Sequence, residues 1–290
     1  MKKYALLLSI ALLIHSCDIV EGPYVTDSES YINPYKKVLI EDFTGHLCPN
    51  CPDAARELDA IHDIYGDQII GIAIHASTTF AKPYHSSQGP GFQYDFRTNW
   101  GDNWDNFYAI SNAGLPKGMI NRVGYQNNLH KLGKDEWAST VALELQKEVD
   151  FKISITADTN TITILSSVEN NIVNNYNLTV CLTESNIINW QKDGQNNVED
   201  YQHNHVLRTV IYDDNLSSQA NLQNGAILEN SFEINLTELE QYNIDYSANT
   251  AQFGNGNAGG WNTENISVVA YIYNNITKEV VQAEETYLNN

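Results

Sequence analysis

Apolar and polar positions fall into two textures along the chain. Between residues 36 and 150 whole apolar runs alternate with stretches of helical spacing; from residue 151 single apolar residues alternate with polar ones. Val38-Leu39-Ile40-Glu41-Asp42-Phe43 predicts a buried strand, and Gln68-Ile69-Ile70-Gly71-Ile72-Ala73-Ile74-His75 a second. Between them Ala54, Ala55, Leu58, Ile61 and Tyr65 recur at the spacing of one helix face, which predicts a helix over 52–65 closed by Gly66. Strand, helix and strand in that order make a βαβ unit. A long segment, 76–114, is rich in Gly, Pro, Asn and aromatics, with a helix predicted around Trp104–Ser111. Gly114-Leu115-Pro116 then turns into a short strand up to Arg122, and a helix over 134–149 ends the region near Asp150.

From Phe151 the alternation has period two. Strands are predicted at 151–155, 162–164, 178–182, 206–211, 227–234, 266–273 and 279–287, separated by Asn- and Gly-bearing turns. About seven such strands predict an immunoglobulin-like β-sandwich. The expected architecture is thus an α/β domain over 36–150, with an insertion at 76–114, followed by an all-β sandwich over 151–290.

The amino terminus changes the expected compartment. Lys2 and Lys3, an apolar run from Tyr4 to Ile14, and Ser16 before Cys17 read as a secretory signal over 1–16. Leu-Ile-His-Ser-Cys resembles the bacterial lipobox, which implies acylation of Cys17 and attachment to a membrane surface without a transmembrane helix. The polar residues that follow predict a tether over 17–35. The 290 residues carry a formal net charge of −20, and loss of residues 1–16 removes two lysines and no acid, which makes −22. Such a chain repels nucleic acid and anionic lipid, so neither is expected as a partner.

With Cys17 assigned to lipid, Cys48, Cys51 and Cys181 remain. Cys181 lies in an apolar strand and reads as a small buried hydrophobe. Cys48-Pro49-Asn50-Cys51 stands where strand gives way to helix, and three readings are open: a redox pair, a fixed disulfide or half a metal site. The redox reading has a physical basis. A sulfur at a helix N-terminus faces unpaired N–H groups and the positive dipole end, which stabilise its thiolate. A second cysteine one turn later can resolve a mixed disulfide. Zinc would need two further ligands. His203 and His205, two apart and so expected on one side of a strand, are the available pair, but they belong to the other expected domain. Neither a metal nor a cofactor is expected.

Residues 38–122 resemble the thioredoxin superfamily: strand Ile40-Glu41-Asp42-Phe43, then Cys48 to Cys51, then Gly114-Leu115-Pro116. The resemblance implies a thioredoxin-like domain in which Cys48 attacks and Cys51 resolves. It implies that Pro116 stands in a cis-proline loop that binds an extended partner chain, and that Asp42, six residues before Cys48, assists proton transfer at Cys51. The sequence departs from thioredoxin at Leu47, at Pro49-Asn50 and in the 76–114 insertion; Pro49 between the cysteines is closer to exported disulfide oxidases and isomerases. Most of the chain also resembles the Omp28-related outer-membrane lipoproteins. The stretches that carry this are Val38 to Pro52, Gly114 to Arg122 and Tyr201-Gln202-His203-Asn204-His205-Val206-Leu207-Arg208. That resemblance implies an exported, lipid-anchored protein of the outer membrane. Two functions are compatible with these residues. One is thiol–disulfide exchange with protein thiols or disulfides. The other is a binding or adhesion lipoprotein whose cysteine pair is only structural and whose sandwich presents aromatics such as Trp190 and Trp261.

Overall fold

The computed structural model describes residues 32–288; the expected signal, Cys17 and most of the tether lie outside them. β1 (Val38–Thr44) runs into α1 (Cys51–Tyr65) and returns as β2 (Ile69–His75), parallel to β1 with Asp42 opposite Ala73 and Thr44 opposite His75. α2 (Asn99–Tyr108) follows the long connection, and β3 (Lys117–Ile120) pairs antiparallel to the free side of β1, Phe43 opposite Lys117. α3 (Trp137–Glu144) is preceded by a 3-10 turn at Lys134–Glu136, so the helix expected over 134–149 is shorter at both ends. α2 begins five residues before the expected start because Thr98 caps it, its hydroxyl accepting from the Gly101 N–H at 2.9 Å.

The remaining strands are β4 (Phe151–Ala157), β5 (Thr161–Val168), β6 (Ile172–Val173), β7 (Tyr176–Glu184), β8 (Ile187–Asp193), β9 (Asn196–His203), β10 (Val206–Asn215), β11 (Asn221–Leu222), β12 (Ile227–Glu233), β13 (Ile266–Asn274) and β14 (Val280–Tyr287), with α4 (Leu236–Asn249) between β12 and β13. One seven-stranded mixed sheet has the order β14-β13-β7-β10-β2-β1-β3. The expected break at residue 150 is therefore absent: strands from both sides of it share this sheet. The seam is narrow, with Val206 of β10 opposite Ala73 of β2 and the Ala73 N–H donating to the His205 carbonyl at 2.8 Å.

The central strands are buried on both faces because each face meets its own core. Leu178, Val180 and Leu182 of β7 and Val268, Ala270 and Ile272 of β13 meet a separate three-stranded sheet, β12-β5-β4. Cys181, Val269, Tyr271 and Tyr273 point the other way, into a core with Phe43, Ile72 and α2's Trp104 and Tyr108. At the β1–β2 end Val38 and Ile40 pack under α1 and α3 with Leu58, Ile61 and Trp137. Sheet against sheet thus survives from the expected sandwich, but one of its layers continues into the βαβ unit. The fold is mixed α/β around one large sheet.

α4, the β8–β9 hairpin and the two-residue strands β6 and β11 have no counterpart in the sequence reading. α4 buries Asn243 and Ser247 rather than an apolar stripe, so it leaves no helical hydrophobic period. β8 and β9 form a hairpin that pairs only with itself among the described residues.

Candidate functional site

Residues 38, 40, 42 and 44 alternate onto the α1 face of β1, so Val38 and Ile40 enter the core and Asp42 and Thr44 reach the strand end where the cysteine loop begins. Cys48 and Cys51 form a disulfide. Cys51 is the first residue of α1, with Pro52 in the first turn, where a missing N–H costs no helical bond. Asp42, Thr44, Cys51, Leu58, Ala73 and His75 line a cavity of about 60 Å³, closed from the other side by residues 191 and 201–206. Cys51 and Asp42 are thus brought together. Pro116, in a cis peptide with Leu115, sits one residue before the Lys117–Phe43 pair at the neighbouring edge and does not line the cavity.

Asp42 is 3 % exposed, and its Oδ1 has no hydrogen-bond partner among the described residues. Burial without a compensating cation pushes its carboxyl up to about 8, so it carries a proton at neutral pH. Its neighbour Glu41 points to the opposite face, where Arg122 grips it at 2.7 and 2.8 Å. The chain thus holds two adjacent buried carboxyls, one ion-paired and one not.

Three histidines gather above the strand ends. His75 and His203 have ring centroids 5.6 Å apart, His46 and His75 6.4 Å, and Phe96 stacks among them at 4.5 Å from His75 and 4.6 Å from His203. Burial holds all three neutral: it lowers His46 to about 4, His203 to about 3, and His75 well below its usual value. His75 Nδ1 and His203 Nε2 find no partner among the described residues. His203 and His205 are not on one strand: His203 ends β9, and His205, with φ of 56°, stands in the turn before β10. Among the described residues no group of three or more His, Cys, Asp or Glu is arranged to hold a metal ion.

What covers the disulfide was not legible beforehand. Both cysteines are nearly inaccessible, Cys48 at 1 % and Cys51 at 2 % exposure, because the β8–β9 hairpin lies against their loop. The Lys192 N–H donates to the His46 carbonyl and the Gly194 N–H to the Pro49 carbonyl, each at 2.8 Å. The buried Gln191 amide donates to the Cys48 carbonyl at 3.1 Å and the Gly45 carbonyl at 3.3 Å. Arg56 of α1 pairs with Asp193 at 3.1 Å. Trp190 packs on Gly91, where an added Cβ would come within 2.8 Å of the indole. Trp190 and Trp261 are half-buried anchors, the second lying under the Arg208 guanidinium at 5.6 Å, rather than a free aromatic surface. Asp193-Gly194 in the hairpin turn was the one sequence signal for β8–β9; nothing marked Gln191.

Among solved structures the chain is similar to HBP35 of Porphyromonas gingivalis, with a TM-score of 0.54, 14 % identity, and 88 % of this chain and 76 % of that one covered. It is also similar to a structural-genomics protein of Agrobacterium tumefaciens, with a TM-score of 0.50, 12 % identity, and 88 % and 96 % covered. At such identities these likenesses concern the fold alone. No curated protein matches. The family model described as outer membrane protein Omp28 matches residues 102–290, which takes in β3 and every element after it but starts beyond the cysteine pair. The chain belongs to the Omp28 outer-membrane protein family.

Proposed function

We propose that Cys48 and Cys51 form a thiol–disulfide exchange site within a thioredoxin-like arrangement of β1, α1, β2 and β3, on a lipoprotein held at the outer membrane through acylated Cys17. The observation that carries this reading is Asp42, buried in the same cavity as Cys51 with its Oδ1 unpartnered among the described residues. A disulfide that serves only as a staple has no use for a buried carboxyl, whose desolvation costs stability.

In the oxidised state a partner thiolate attacks the Cys48 Sγ. The Cys48–Cys51 bond breaks, its electron pair leaves on Cys51, and Cys51 takes the proton held on Asp42. A second partner thiolate attacks the partner sulfur of the mixed disulfide and expels Cys48 as thiolate. The partner dithiol loses two electrons and becomes a disulfide; Cys48 and Cys51 gain them. The same steps in reverse reduce a partner. α1 starts at Cys51 with Asn50 as its N-cap, so its positive end lies beside the pair and favours the thiolate that each step generates.

The test is the reduction potential of the pair in the full chain, together with mixed-disulfide trapping by Cys51→Ser. A potential well above about −300 mV and adducts at Cys48 are expected. A potential below that value with no adduct refutes exchange.

A second reading has its own support. Both sulfurs are buried, and the family match begins after them, as suits a binding lipoprotein in which Cys48–Cys51 staples a loop and the sheet-on-sheet region, sandwich-like in its packing, carries the interaction. The same potential measurement separates the two.

A further inference from the structure

An exchange site needs its attacked sulfur in reach of a macromolecular thiol, and here that sulfur is covered by a piece of the same chain. The cover is specific. β8 has one edge laddered to β9 and turns the other to the cysteine loop: the Lys192 N–H near its end donates to the His46 carbonyl, and the Gly194 N–H in the turn that follows donates to the Pro49 carbonyl. That is how an extended peptide adds to an exposed backbone edge.

At its tip the hairpin is held to the cysteine loop by the hydrogen bonds of residues 191, 192 and 194 and by one ion pair. It belongs to neither larger sheet. Asn196, Asn197, Glu199, Asp200 and Gln202 on β9 are exposed. The Arg56–Asp193 pair is half-exposed on the arginine side, and such a pair is a weak clasp. At its base His203 is 5 % exposed and packs on His75, Phe96 and Tyr201.

Resting on the exchange reading above, we propose that the β8–β9 hairpin is a displaceable internal occupant of the partner groove. The partner is an extended polypeptide segment bearing a thiol or disulfide, and it takes the place of β8 at the carbonyls of His46 and Pro49. The occupied groove keeps small thiols from the disulfide, and only a strand that replaces the lost backbone hydrogen bonds gains entry. The edge selects main chain rather than side chain, so the partner's sequence is loosely specified around its cysteine.

The experiment uses the full chain carrying Cys51→Ser, which leaves Cys48 as a free thiol. A five-residue extended peptide, Ala-Val-Cys-Thr-Val with capped ends and its cysteine activated as a mixed disulfide, serves as probe. Gln191→Ala combined with Arg56→Ala removes two side-chain hydrogen bonds to the loop and the ion pair, and should speed adduct formation about tenfold, the factor equivalent to 1.4 kcal/mol in tip opening. Buried Cys181 should stay unreactive in the same samples, which reports that the fold is intact. Hydrogen exchange should find the Lys192 and Gly194 amides protected in the free protein and exposed in the adduct. Adducts that form at an unchanged rate, with both amides still protected, overturn displacement and leave the exchange site standing. No adduct in any variant overturns both.

Discussion

Replacing Asp42 with asparagine removes one titration and little volume, and its consequence can be worked from the structure. The carboxyl moves from 3.8 to about 8 on folding, through burial alone. Between those values the folded chain binds a proton that the unfolded chain has lost. Stability contributed by this group is therefore full below about pH 4 and falls as pH rises toward 8, at about 1.4 kcal/mol per unit. By pH 7 the interval is roughly three units, so the wild type forfeits about 4 kcal/mol. The carboxamide of the Asp42→Asn variant does not titrate. Urea unfolding of the oxidised proteins at pH 4, 5.5 and 7 should then show the stability difference, variant minus wild type, climbing by about 4 kcal/mol across that range. The other carboxylates of this acidic chain drop out of the difference. A difference that stays constant with pH to within about 1 kcal/mol would show that Asp42 is ionised and solvated, and the proton-transfer role for it would fall too.

Two further outcomes follow from buried groups elsewhere. Arg122→Met should destabilise the oxidised protein by about 3–5 kcal/mol in urea unfolding, because Glu41, buried with no exposed surface, loses the guanidinium that grips both its oxygens; a change under about 1 kcal/mol would mean that water reaches Glu41. Cys181 is fully buried and its thiol is pushed far up by desolvation, so iodoacetamide should modify it only after unfolding; modification of native protein as fast as of a free thiol would contradict the packing of β7.

Local sequence carried much of the architecture because its signals are short-range. The βαβ start was legible from three apolar patterns with Gly66 as a stop, and the later strands from period-two alternation. The cysteine pair was legible as a pair by its spacing alone. The hairpin was not: β9 reads Asn196-Asn197-Val198-Glu199-Asp200-Tyr201-Gln202-His203, with exposed polar residues through most of it, and its partner β8 is half-buried with polar Gln191 as its buried residue, so no hydrophobic period marks either strand. α4 escaped for a similar reason, since Asn243 and Ser247 are the residues it buries. The supposed break at residue 150 shows the opposite failure. A real change in periodicity occurs there, from parallel strands covered by helices to strands covered by another sheet, yet β10 still hydrogen-bonds to β2 across it.

Sequence alone determined the βαβ start, the apolar strands that follow and the two cysteines three residues apart, because these depend on neighbours within a few residues. Only the tertiary structure decided that Asp42 is neutral while Glu41 beside it is ion-paired: alternation sends them to opposite faces, and a cation, Arg122, waits on only one. It likewise decided that residues 191–194, about 140 positions downstream, seal the disulfide. Desolvation and cover are sums over atoms that meet in space, and no window along the chain contains them.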